Sequence, residues 1–278
     1  MRGKTSTMKV IVKNSVREAS QTACQQVKSC ILDKGYKVFG FGAGVSVLGL
    51  YAELAGSCRK GELDFSDLSV FNLDEFVGMA ADFPQSRRFF LEANLFGHLN
   101  LKASNIHYLD GLTDSVEDEC AYYEQDMEAL GGAKLHVLEL GVNGRIALNE
   151  PGTSMESRSH YVTLTETTRA ECGRIFPRGE QVPRWGLTLG IGTILDAQEL
   201  LVMACGNERA AAVREMLEGP VAQVCPASFL QLHQNVTVVL DAAAASQLTR
   251  GDCWSVHSDD YDEMMDFLML SRRGCGLD

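Results

Sequence analysis

Apolar and polar positions along the chain switch repeatedly between a two-residue and a 3.6-residue period, and each switch marks a new element. Residues 9–12 read as a short strand. Over 15–33, Val16, Ala19, Ala23, Val27 and Ile31 fall on one helical face, and Gly35 is placed to stop that helix. Further strands are expected at 37–41, 68–73, 106–109, 135–140, 186–189, 200–205 and 236–240. Helices are expected at 46–57, 86–95, 115–130, 208–218 and 226–232. Such βα alternation implies an α/β fold with a mostly parallel sheet covered by helices on both faces. Ligands of these sheets sit beyond the carboxyl ends of the strands, so residues that directly follow strands carry the functional information. No repeat, low-complexity tract or proline-rich linker divides the chain. One domain is expected over 8–245, and 246–278 reads as a helical extension packing on the body or on a partner subunit.

Composition narrows the function classes. The 45% apolar and 22% charged fractions describe an ordinary folded domain. A net charge of −12 argues against nucleic-acid binding, which needs a basic face, but leaves room for a few arginines around a small anion. The nine cysteines form no C-x-x-C pair and mostly lie in apolar runs, so reduced, buried thiols are expected. The basic start MRGKTSTMKVIVKN has no apolar run of leader length, and no segment approaches the ~18 apolar residues of a membrane span. The expected setting is the cytoplasm, without a membrane partner.

Three strand-end segments carry candidate chemistry. Gly40-Phe41-Gly42-Ala43-Gly44-Val45-Ser46 lets backbone N–H groups approach an anion at a helix start, although a tight βα turn accounts for the glycines equally well. In Phe71-Asn72-Leu73-Asp74-Glu75-Phe76, neighbouring carboxylates point in different directions. One suits a general base for a carbon-bound proton; the other suits a cap. The segment 141–152 puts Asn143, Arg145, Asn149 and Glu150 beside Pro151. His98, His107, His136, His233 and His257 show no metal-ligand spacing, and Gly-x-Ser-x-Gly is absent.

The strings FNLDEF, LNEPG, LTLGIGTILDAQEL and PASFLQLH, in that order, resemble the glucosamine-/galactosamine-6-phosphate isomerase (deaminase) family over residues 8–241. FNLDEF and LNEPG place the resemblance with the isomerases and away from the sugar lactonases of the same superfamily. The resemblance implies a doubly wound, Rossmann-like sheet, an oligomer, and conversion of an amino-sugar 6-phosphate to a ketose 6-phosphate and ammonia. No metal or organic cofactor is implied. Asp74 then matches the base that moves a proton between C2 and C1. Glu150 matches the carboxylate that supports a ring-opening histidine, and Arg145 stands at that histidine's position, with Asn143 close by. The turn Ala43, Gly44, Val45 and Ser46, with Arg174 and Arg209, matches the phosphate ligands. Asn143 and PASFLQLH look closer to the galactosamine branch.

Departures from the family pattern cluster at these positions. An arginine is not a base at neutral pH. Ala43, Val45 and Val47 replace a hydroxyl, a small residue and a proline; Arg209 replaces a lysine, Glu139 a glycine, and Arg87 an aromatic residue. Glu139 and Arg145 flank one turn with opposite charges and are expected to pair. The expected function is therefore isomerisation with deamination. Its rival is an impaired relative that binds sugar phosphate as a sensor or regulator.

Overall fold

Each central strand feeds both faces of its sheet, which is why the strands read as continuous apolar runs. Even in the edge strand Lys9–Lys13 (β1), Val10 and Val12 join one core and Ile11 joins the other. In the computed structural model, which describes residues 8–249, the elements that follow are α1 (Val16–Leu32), β2 (Val38–Phe41), α2 (Leu48–Arg59), β3 (Ser69–Asn72), β4 (Asp74–Phe76) and α3 (Arg87–Asn94). Next come β5 (Ile106–His107), α4 (Val116–Ala129), β6 (Leu135–Glu139), β7 (His160–Thr163) and α5 (Glu166–Cys172). The last are β8 (Trp185–Thr188), α6 (Ile191–Leu195), β9 (Glu199–Ala204), α7 (Ala210–Glu218) and β10 (Val236–Asp241).

Seven strands form one sheet in the order β1-β10-β9-β6-β2-β3-β5, with every neighbouring pair parallel. Helices α1, α2 and α3 bury Ala23, Val27, Leu50, Leu54 and Leu91 on one face. The other face is covered by α4, α6 and α7 through Tyr123, Met127, Ile194, Val213 and Met216. The fold is thus the doubly wound, mostly parallel α/β sheet expected. Local signals set its helix starts: the Ser15, Ser86 and Ser115 hydroxyls each accept the N–H three residues on, as N-caps do.

Two expectations about strands need correction. The expected strand at 68–73 stops at Asn72, and the chain then leaves the main sheet. Asn72 is fully buried; its Nδ2 donates to the Asp74 carbonyl, and its Oδ1 accepts from the Leu109 N–H and the Tyr123 hydroxyl. These bonds break the ladder and turn β4 into a second, antiparallel sheet of order β4-β8-β7. Residues 186–189, expected in the parallel sheet, belong to this small sheet instead. Under it, Phe76, Leu148, Val162, Leu164 and Cys172 form a separate core. The expected helix at 226–232 is a 3-10 helix with Pro226 at its start, and those at 46–57 and 208–218 open with 3-10 turns.

Beyond residue 249 the expected C-terminal extension lies outside the described residues. Among the described residues, seven cysteines are free thiols, and no helix is long and apolar enough to cross a membrane.

Candidate active site

Strand order reverses between β2 and β6: the chain leaves β2 toward β3 and leaves β6 toward β9. The connections part above the carboxyl ends of these strands, where doubly wound folds hold their ligands. A cavity of about 90 Å³ lies there, lined by Ala43, Gly44 and Val45, by Glu139 at the end of β6, and by Arg87, Phe90, Arg145, Glu171, Cys172, Arg174, Ile175 and Arg209. The structure therefore brings the glycine turn, Arg174 and Arg209 to one place, from distant parts of the chain. The space is small beside the ~300–1,000 Å³ of typical small-molecule sites.

Arg209 organises this crevice. It is buried, and its guanidinium uses all five N–H donors. Nε donates to the Leu140 carbonyl at 3.0 Å, and Nη1 donates to the Cys205 carbonyl at 3.3 Å and Glu208 at 3.0 Å. Nη2 donates to Glu139 at 3.1 Å and Glu171 at 3.0 Å. Glu139 also accepts the Ser46 backbone N–H at 2.7 Å, at the start of the turn that leads into α2. Its carboxylate lies against Gly44 so closely that a Cβ there would overlap it. The Ser46 hydroxyl, the one hydroxyl of the turn, faces inward and accepts the Cys205 N–H at 3.3 Å. Ser46 thus presents its N–H, not its hydroxyl, to the crevice. Arg174 borders the same cavity but is largely exposed, with one long 4.0 Å contact to Glu208.

The expected Glu139–Arg145 pair is not formed. Glu139 is taken by Ser46 and Arg209, and Arg145 donates instead to Glu171 at 2.9 Å. Glu171 bridges the two arginines, so Glu139 and Arg145 are linked only through it and Arg209. Arg145 is buried, and its Nε has no hydrogen-bond partner. Burial works against its charge, but Glu171 and its neighbours more than offset this and lift the guanidinium above its usual pKa. The guanidinium packs over Gly141, where any Cβ would collide with it.

The adjacent acids divide their tasks as their opposite orientations suggest. Glu75 accepts the N–H groups of Phe76, Arg87 and Arg88 at 2.8–2.9 Å and so caps α3. Asp74 is buried and pairs with Arg87 Nε at 3.1 Å. Burial pushes its carboxyl pKa up, against the opposing pull of Arg87 and Arg145. Arg87 borders the cavity, also lies over the Phe76 ring, and donates to the Cys172 sulfur. Asp74 itself does not reach the cavity wall.

Asn143 and Glu150 form a second polar group. Asn143 Nδ2 donates to Glu150 at 2.7 Å, and Glu150 also accepts the Thr165 N–H and hydroxyl. Asn143 Oδ1 accepts the Arg145 backbone N–H. No hydrogen bond or ion pair joins Glu150 to the Arg145 side chain, which turns toward Glu171. Sequence reasoning did not single out Glu171: in Thr-Arg-Ala-Glu-Cys it looks like an ordinary charge on a helix. Arg87 stands out in the sequence only as a replacement for an aromatic residue.

These features define an α/β protein with an arginine-rich crevice at its topological switch point and a buried carboxylate behind it. A sequence model of the family "glucosamine-6-phosphate isomerases/6-phosphogluconolactonase" matches residues 12–239, and the chain belongs to that family. It is 40% identical over 245 residues to the glucosamine-6-phosphate deaminase of Thermoanaerobacter sp. (strain X514), which covers 88% of this chain and 97% of the relative. The corresponding deaminase of Clostridium botulinum (strain Hall) is 37% identical over 241 residues, 87% of this chain and 99% of the relative. A solved monomeric glucosamine-6-phosphate deaminase superposes with a TM-score of 0.84 at 39% identity, covering 87% of this chain and all of its own. A Trypanosoma brucei 6-phosphogluconolactonase superposes at 0.71 with 20% identity over 87% of this chain and 98% of its own, a likeness of fold alone.

Proposed function

We propose that the chain isomerises and deaminates an amino-sugar 6-phosphate, with Asp74 as the base. The observation that carries this reading is the buried Asp74 beside Arg87, directly behind an arginine-lined cavity at the switch point. Once the Arg87 side chain between Asp74 and the cavity moves aside, Asp74 takes the C2 proton of the open-chain substrate, the C1 carbonyl oxygen takes a proton from the substrate's own ammonium group, and the electrons form an enolamine between C2 and C1. Return of the proton to C1 leaves a C2 imine, which adds water and expels ammonia, giving the ketose phosphate. Desolvation suits this role, because raising a carboxylate's pKa makes it a stronger base once ionised. Arg87 keeps a cation next to the ionised form. Arg174, the most exposed of the four arginines, is the one with room to meet the phosphate first.

A second reading, a sugar-phosphate binder with impaired catalysis, is favoured by Arg145. A charged, buried guanidinium bound to Glu171 offers no ring-opening base, and Glu150 has no imidazole to support. Ammonia release from glucosamine- and galactosamine-6-phosphate separates the two. The first reading expects turnover with one or both sugars. Binding of both sugars without ammonia would replace it with the second.

A further inference from the structure

The two donors of the crevice best placed for a phosphate, the Ser46 N–H and Arg209 Nη2, are already engaged by the protein's own carboxylates. The Ser46 N–H, at the start of the turn into α2, is held by Glu139. Arg209 has no spare donor: its one nitrogen facing Glu139 divides its two hydrogens between Glu139 and Glu171. Glu139 is not a loose surface group that happens to point inward. Its side chain is mostly buried, and one carboxylate oxygen, Oε1, accepts both from a backbone N–H and from a guanidinium that is itself buried. The close approach to Gly44 seats the carboxylate in the turn where a ligand oxygen would otherwise lie.

We propose that Glu139 is an intramolecular stand-in for the ligand's phosphate, which a phosphorylated ligand must displace to bind. The proposal rests on the reading of the crevice as a sugar-phosphate site. A phosphate oxygen and the Glu139 carboxylate compete for the same N–H and the same Arg209 nitrogen, and their like charges exclude joint occupancy. A phosphorylated ligand therefore binds only by turning Glu139 out of the turn. The way out is short, because Glu139 already borders the cavity, together with Arg174, whose guanidinium has only a 4.0 Å contact to Glu208. Arg145 adds an independent sign that the crevice is adapted to an anion it does not yet hold. Its Nε is buried at the cavity wall with no acceptor.

The test is titration calorimetry with inorganic phosphate, which reads the anion site without requiring turnover. The proteins are the full chain, Glu139→Ala, Glu139→Gln and, as a charge control away from the cavity, Glu215→Gln. Glu139→Ala is expected to bind phosphate at least ~10-fold more tightly than the unmodified chain, the scale of one charge-assisted hydrogen bond. Glu139→Gln, which keeps an acceptor for the Ser46 N–H but loses the charge, should gain less. Glu215→Gln should stay within about twofold. The proposal is overturned if Glu139→Ala and Glu139→Gln, both still folded by thermal unfolding, bind phosphate no better than the unmodified chain. It is equally overturned if Glu215→Gln gains as much as Glu139→Ala, since the effect would then be one of net charge. If Glu139→Ala does not fold, Glu139→Gln alone decides, by a gain or its absence. Absence of ammonia release in all four proteins, alongside the phosphate gain, removes the assigned reaction and leaves Glu139's role standing.

Discussion

Arg145 is the residue on which the chemistry turns. A histidine at 145 supplies a neutral imidazole in a turn already built around Asn143 and Glu150, in place of a cation held by Glu171. General acid–base assistance is worth ~10²–10⁴-fold, so Arg145→His is expected to raise kcat on cyclic amino-sugar phosphates by about 10²-fold. A variant that binds the sugar and gains nothing would move the obstacle to the occupied phosphate turn. His136 makes a different prediction. It is fully buried against Gly40, neither ring nitrogen has a partner, and burial lowers its pKa to about 4. The unfolded chain then takes up this proton near pH 6.5 while the folded chain resists it. The stabilisation is complete above about 6.5 and is lost as pH falls toward 4, amounting to roughly 3 kcal/mol across that window. Denaturant titrations over this range should show the loss, and His136→Leu should show a correspondingly shallower slope. An unchanged slope would mean that His136 titrates alike in both states. A single residue was legible in sequence where a local rule applied: neighbouring carboxylates at 74 and 75 had to point apart, and one of them, Glu75, is the cap. Glu171 and the orientation of Arg145 were not, because an ion pair 26 residues apart leaves no periodic trace.

At the scale of elements, α3 shows how a cap positions a site. Glu75 receives the N–H groups of Arg87 and Arg88, and the same first turn delivers the Arg87 side chain to Asp74. Glu75→Ala leaves those donors without their buried acceptor and is expected to cost at least about 2 kcal/mol in chemical denaturation. Glu75→Gln retains one carbonyl oxygen and should lose less. Equal stability of Glu75→Ala and the unmodified chain would contradict the capping role. The parallel strands and the long helices were readable because their apolar periods are long and unambiguous. The small antiparallel sheet was not. β4 and β7 have three and four residues, and the break at Asn72 is made by side-chain bonds to Leu109 and Tyr123, which no local pattern encodes.

Across the whole molecule, the sheet's order collects residues from five parts of the chain at one reversal point, and an acidic protein of net charge −12 gathers four arginines there. Their charge is opposed internally by Asp74, Glu139, Glu171 and Glu208 before any ligand arrives. The central claim is that Asp74, behind this crevice, moves the carbon-bound proton. The most direct measurement is ammonia release from glucosamine-6-phosphate by the unmodified chain and by Asp74→Asn, with folding checked by circular dichroism. With Asp74 as the base, the unmodified chain should release ammonia measurably and the folded Asp74→Asn variant at least ~10²-fold more slowly. Release by Asp74→Asn at the rate of the unmodified chain would contradict the claim.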